Sequence, residues 1–436
     1  MKQFIAILVL AALSGSLKAS DEIPGAPQTT PVVITGATIH TVSGPVIDNG
    51  ALLFNRGRIV AVGKAGAVKI PDNAQRIDGK GKHVYPGLFE AHSHLGLVEV
   101  SAVRASRDQS ESGSMNPNVR AHVSVNPDSE LIPVTRANGV LLALSAPSGG
   151  RISGQASVMQ MDGWTFEDMT LRSGAAMVVS WPSVPHEFQK SDEKDKSKVG
   201  LKTDPVDSLR DFFDEGRAYL AARADDTSAQ QTDVKLESLR PVFERKMPLL
   251  VSANSLAAIQ SSVAFAVEQN VRLIILGGYD APLCAELLKK HNVPVIVSAV
   301  YRLPRRRHDG VDAAYTLPSR LRDAGVRFCI SGSDSSRTSN ARNLPYHAAT
   351  AVAHGLPADE ALKAITLYPA QILGVAKRVG SLERGKDATL ILTTGDPLET
   401  PTQVTAAWVR GRQVDLSSRH VRLYEKYREK YRQLKP

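Results

Sequence analysis

Val84-Tyr85-Pro86-Gly87-Leu88-Phe89-Glu90-Ala91-His92-Ser93-His94 is an apolar strand that delivers two imidazoles two residues apart. Successive side chains of a β-strand point to opposite faces, so His92 and His94 share one face and can grip a single metal ion. Neutral imidazole is the commonest protein ligand for zinc and related metals. An isolated His-x-His arises by chance in many chains. Here Pro86-Gly87 before the pair and an aspartate far downstream, in Ser331-Gly332-Ser333-Asp334-Ser335, supply a frame.

Outward from that strand the chain is organised in three parts. Residues 31–81 read as short strands, Pro31–Thr35, Gly50–Phe54 and Arg58–Val62, separated by turn residues Asn55, Gly57 and Gly63. Thr389–Leu392 and Ala406–Val409 in the 379–415 segment read the same way and are expected to complete one small β-sandwich from both chain ends. Between them, residues 82–378 alternate strands with amphipathic helices, the signature of parallel βα units. Leu249–Val251, Val271–Leu276, Val293–Val300 and Arg327–Ile330 are taken as barrel strands five to eight, and Val140–Leu144 as strand two. Strands three and four fall between Ile152 and Ser180 and are not separable by periodicity. Residues 189–200, charged and poor in apolar side chains, read as a loop, and Asp204-Pro205 as a helix start. Residues 416–436 form a basic terminal helix, with Leu423, Tyr424, Tyr427 and Tyr431 at helical spacing for docking on the body.

These motifs resemble the amidohydrolase superfamily, and within it the imidazolonepropionase-like and dipeptidase-like branch. Arg342–Tyr346, Gly355-Leu356-Pro357, Tyr368-Pro369-Ala370 and Gly380–Ala388 occur in that family's order. The resemblance covers nearly all of residues 31–415 and implies an α/β fold, a (β/α)8 TIM barrel with a flanking β-sandwich. It also implies metal-assisted hydrolysis, in which an ion lowers the pKa of a bound water towards about 7. His92, His94 and Asp334 would be the ligands, with Asp334 also passing the water proton to the leaving nitrogen. The bland alternative, satisfied core histidines and a turn aspartate, is outweighed by the context.

The pattern breaks at two places. The family supplies a histidine at the end of the fifth strand and another at the end of the sixth. Here the matching stretches are Leu250–Asn254 and Leu276–Asp280, so Ser252 and Tyr279 stand where imidazoles are expected. No lysine or glutamate clearly takes the bridging place of strand four. The chain therefore resembles a divergent member, expected to hold one divalent ion rather than two, zinc first. Arg302, in the basic run after strand seven, is a candidate clamp for a substrate carboxylate, with Ser252 and Tyr279 as further substrate-side candidates. His122, His308, His186 and His347 are long shots as replacement ligands. His291 and His354 fit helix C-termini, where a cationic imidazole suits the dipole. The glycine-rich Ser148–Gln155 loop lacks the phosphate-loop lysine, which argues against a nucleotide site.

Composition bounds the rest. At 42% hydrophobic and 22% charged, 436 residues suffice for a large core. Lys2, the apolar run Phe4–Leu13 and the small residues ending at Ala19 have the order of a secretory leader, residues 1–19, and predict a periplasmic or secreted protein. The run is too short for a stable membrane anchor. The net charge of +9 is carried largely by Arg305-Arg306-Arg307 and the tail, and with aromatics at only 5% nucleic-acid binding is disfavoured. The expected partner is a small-molecule substrate, with homo-oligomerisation left open. Cys284 and Cys329 are expected as buried free thiols. Two functions remain in competition: a hydrolase of a cyclic or small peptide-like amide, and a catalytically silent relative serving as a binding or scaffolding module.

Overall fold

The computed structural model describes residues 22–182, 206–224, 231–332 and 338–434. The expected leader (residues 1–19), the 189–200 stretch, Asp204-Pro205, His186 and Asp334 lie outside the described residues. Five strands open the chain: β1 (Val32–His40), β2 (Val46–Asn55), β3 (Arg58–Lys64), β4 (Gln75–Asp78) and β5 (His83–Pro86). Eight barrel strands follow: β6 (Leu88–Ser93), β7 (Val140–Ser145), β8 (Ile152–Gln160), β9 (Thr170–Ser180), β10 (Leu249–Ala253), β11 (Leu273–Gly277), β12 (Val295–Ser298) and β13 (Phe328–Ser331). Near the C-terminus β14 (Leu390–Thr393), β15 (Val404–Val409) and β16 (Arg412–Val414) return to the first sheet.

That first sheet runs β16-β15-β14-β5-β1-β2-β3, with β4 also on β1. β1 pairs β4 through Val32–Thr35 and β5 through Thr38 and Ile39, so the network forks at β1. The fork lets it fold over its own core. Trp408 of β15 and Phe54 of β2, distant in strand order, meet edge to face at 5.8 Å. Both are fully buried with Ile34, Ile39 and Leu390. The two chain ends thus share one apolar cluster, as the strand patterns at both ends lead one to expect.

The second sheet runs β6 through β13 in sequence order. Its strands are buried on both faces, which is why they read as near-continuous apolar runs. Phe89, Leu142, Leu250, Ile274, Ile296 and Cys329 fill an inner cluster, closed below by Ala370, Ile372 and Leu373. Leu249, Val251, Ile275, Val297 and Ile330 face the helical layer instead. Neighbouring strands are parallel except at β8, which pairs antiparallel with both β7 and β9. The physical reason is connection length. Residues 146–151 join β7 to β8, whereas a parallel crossover needs about a dozen residues or more. The alternation of strand and helix expected throughout is therefore interrupted here, and this is why periodicity could not separate strands three and four.

The terminal helix, Arg419–Gln433, buries none of its residues. The expected docking of its tyrosine face does not occur: Tyr424, Tyr427 and Tyr431 are exposed, and the helix touches the body through polar contacts such as Arg422 with Glu130 at 3.4 Å. A helix whose mean composition is this rich in Lys, Arg and Glu keeps enough of its side chains solvated to stand free. Cys284 and Cys329 are buried free thiols. Among the described residues no helix is long and apolar enough to cross a membrane.

Candidate active site

The C-terminal ends of β6, β7 and β13 meet at one mouth. There the Ser93 hydroxyl donates to the Leu144 carbonyl at 3.1 Å, the Ser145 hydroxyl to the Leu95 carbonyl at 2.8 Å, and the Ala146 amide to the Ser93 carbonyl at 2.9 Å. This lacing fixes the strand that carries the paired imidazoles. His92 and His94 are each 4% exposed, their ring centroids 5.7 Å apart and their planes at 70°. Nδ1 of His94 lies 2.6 Å from the Ala146 carbonyl, an atom that can only accept. Nδ1 therefore carries a proton, and in the neutral ring Nε2 is the lone-pair nitrogen, the form a metal ligand needs. His92 is held neutral: burial first, then the neighbouring His94, lowers its pKa to about 3.

Strand eight closes on strand one through a residue that sequence reasoning passed over. Glu90 has no exposure, and its carboxylate accepts from the His92 amide at 3.2 Å, from the Gly332 amide at 2.9 Å and from the Ser331 hydroxyl. The Ser331 hydroxyl also reaches the His92 carbonyl at 3.1 Å. In place of a backbone ladder, then, a buried carboxylate joins β6 to β13. Burial first, and then this carboxylate, pushes the Cys329 thiol well up. The signal was available: a glutamate inside an apolar strand is almost never fully buried unless partnered. Asp334 itself is outside the described residues, two positions past the Gly332 that Glu90 holds.

At the end of β10, Ser252 is exposed and, by alternation with Leu250 of the inner cluster, sits on the barrel's inner side. It brings a hydroxyl to the mouth, not an imidazole. Tyr279, just past β11, is 6% exposed and turned to the loop after β12. Its hydroxyl donates to Asp309 Oδ2 at 2.9 Å, and the Arg302 guanidinium lies over its ring at 5.2 Å. Burial and that Asp309 contact raise its pKa, so the phenol stays protonated. Arg306 bridges Asp280, at 2.5 Å, and Asp309, at 3.1 Å, and clamps the same loop onto the strand ends. Tyr279 and Arg302 are thus part of one packed rim.

A second residue escaped sequence reasoning: Asn254, beyond β10, whose side-chain oxygen Oδ1 is buried without a hydrogen-bond partner. It leans against Gly277, where a Cβ would come within 2.5 Å of that oxygen and where φ is +101°. Only glycine fits there. His122 contacts the Ser157 hydroxyl at 3.1 Å, His308 is largely exposed beside Asp309, and His291 and His354 close helices Ala285–Lys290 and Leu344–Ala353. His347 is buried near the mouth and accepts the Tyr301 amide at 3.1 Å.

Among the described residues no group of three or more His, Cys, Asp and Glu side chains is gathered for a metal. The donor set they offer is the His92 and His94 pair. Two buried neutral imidazoles, one with its tautomer fixed by a carbonyl, fit a single divalent ion, provided that further ligands come from outside the described residues or from solvent.

Comparison with known proteins gives the same architecture. The model of the amidohydrolase family matches residues 173–414. The amidohydrolase tasK of Hapsidospora irregularis is 26% identical over 393 residues, covering 83% of this chain but only 39% of that protein. The imidazolonepropionase of Geobacillus kaustophilus (strain HTA426) is 25% identical over 380 residues, covering 80% of this chain and 84% of that one. Among solved structures, an amidohydrolase from Thermotoga maritima MSB8 superposes with a TM-score of 0.78 at 25% identity, over 88% of this chain and 99% of its own.

Proposed function

Because the chain belongs to the amidohydrolase family, whose members are hydrolases acting on carbon–nitrogen bonds, we propose that it is an exported, metal-dependent amidohydrolase that cleaves a cyclic amide or a small peptide-like amide. The observation that carries this proposal is the buried imidazole pair at the barrel mouth, with His94 Nδ1 committed to the Ala146 carbonyl. His92 and His94 would hold one divalent ion, zinc first, with Asp334 as a further ligand. Such an ion supplies Lewis acidity and acidifies water towards neutrality. The chain's own residues do the remaining work. Glu90 fixes Gly332, from which the chain runs on to Asp334, and Asp334 is the group to carry a proton from water to the leaving nitrogen. Arg302, Ser252 and Asn254 offer donors and an acceptor around the mouth for the substrate's polar groups. The relative named imidazolonepropionase supports a small substrate, and the Lys2-to-Ala19 leader supports export.

One feature favours a catalytically silent relative instead: Ser252 and the rim-bound Tyr279 stand where two more imidazoles would complete a larger site. Metal analysis of the mature protein separates the two. About one ion per chain, lost in His92→Ala and His94→Ala, together with release of amine from a panel of dipeptides and cyclic amides, is the expected result. Metal-free protein that stays inactive after zinc or manganese loading would assign the silent role.

A further inference from the structure

On the opposite face of the barrel, at the N-terminal ends of the parallel strands, lies a cavity of about 330 Å³. Arg272 immediately precedes β11, Arg327 immediately precedes β13, and Arg245 lies shortly before β10, so the common strand direction gathers three guanidiniums at its wall. Among the described residues no carboxylate lines it. The arginines are held by neutral oxygens: Arg245 donates to the Asn270 carbonyl at 3.2 Å and to its side-chain oxygen at 2.8 Å, and Arg327 to the Asn292 carbonyl at 3.1 Å. Arg272 reaches the Arg245 carbonyl at 3.5 Å. Some other arginines of this chain find acids, while Arg151 and Arg172 also rest on carbonyls. Arg136 pairs with Glu22 at 2.5 Å and Arg378 with Asp387 at 2.7 Å.

Carbonyl anchors fix position without compensating charge, and each guanidinium keeps further donors to spare. Three neighbouring cations in a half-buried cavity repel one another. The cationic form of Arg272 is disfavoured accordingly, by burial first and then by Arg245 and Arg327. Such an arrangement is unfavourable when empty of anions and favourable when a compact polyanion bridges it. We propose that Arg245, Arg272 and Arg327 form a binding site for a multivalent phosphate-class oxyanion, on the barrel face away from the hydrolytic mouth. The cavity's size suits a small anion such as pyrophosphate. The site stands independently of the hydrolase assignment.

The test is thermal unfolding and calorimetry of the whole mature protein in pyrophosphate against sodium chloride at matched ionic strength. Pyrophosphate should raise Tm saturably, and inorganic phosphate should do so more weakly. Arg272→Gln and Arg327→Gln should each weaken pyrophosphate binding by about tenfold or more, the scale of a lost charge-assisted hydrogen bond. Arg56→Gln, at an exposed turn between β2 and β3, should bind as the parent does. Without anion, Arg272→Gln should melt no lower than the parent, because a repulsion has been relieved. If Arg272→Gln fails to fold, Arg327→Gln carries the same expectation. A pyrophosphate effect no larger than that of chloride, or one that persists in the Arg272→Gln and Arg327→Gln double variant, overturns the site.

Discussion

Glu90 shows how one buried charge can replace a strand ladder. Its carboxylate receives the His92 amide, the Gly332 amide and the Ser331 hydroxyl, all in a place with no access to water. Glu90→Gln turns one acceptor into a donor facing another donor and should cost about 1–3 kcal/mol. Glu90→Ala leaves the donors unmatched and should cost more. Urea unfolding of the metal-free protein measures both, and a midpoint unchanged in Glu90→Gln would show that the seam between β6 and β13 does not depend on this carboxylate. Metal content is expected to fall in the same variants, because the Gly332 end that leads to Asp334 loses its anchor. At Gly277 the constraint is steric. Gly277→Ala would press on Asn254 Oδ1 and force a left-handed backbone on a residue with a Cβ, destabilising the mouth by about 1 kcal/mol or more.

At the scale of elements, the sheet's β1 and β5 are joined by a histidine pair. His40 Nε2 lies 3.0 Å from His83 Nδ1, and its ring stacks on Tyr85 at 4.1 Å. Burial first, then His83, lowers the His40 pKa to about 4, against the opposing pull of Asp396 and Asp48. An unfolded His40 takes up its proton near 6.5, a folded one only near 4. The unfolded state therefore binds more protons between those values, and this contribution is full above 6.5 and is lost as the pH falls from 6.5 towards 4. His40→Gln should flatten that part of the curve of unfolding midpoint against pH; an unchanged acid slope would place the dependence elsewhere. The Arg419–Gln433 helix makes the opposite case. With no buried residue and an exposed Arg422–Glu130 pair, its removal after Ser418 should cost less than about 1 kcal/mol by chemical denaturation. A larger loss would mean that its tyrosines pack on the body in solution.

Over the whole molecule, the chain ends are tied together by Trp408 against Phe54, each fully buried in the forked sheet. Trp408→Ala should cost about 3–5 kcal/mol and release strands from both ends at once, read as earlier protease cleavage within residues 31–81. Cleavage confined to residues 379–415 would show instead that the two ends fold separately. The barrel, the two-ended sheet and the paired imidazoles were legible in the sequence because each rests on a local period: alternation along β6, apolar runs in β10 to β13, helical spacing in Leu256–Glu268. What the period of a strand does not contain is its partner and direction. β8 reverses because the link at 146–151 is too short to cross over, and Glu90 became a strand-to-strand clamp because the closure of the barrel brought Gly332 and Ser331 to it. The three arginines below the barrel are far apart along the chain and meet only because parallel strands start on one face. Sequence by itself determined many of the strand segments, though not the two between Ile152 and Ser180, and which residue types could bind a metal, since those follow from neighbours a few positions away. Tertiary structure alone decided which charges are buried, which tautomer His94 takes and which cations stand together, since each of these depends on contacts between residues that only the folded chain brings close.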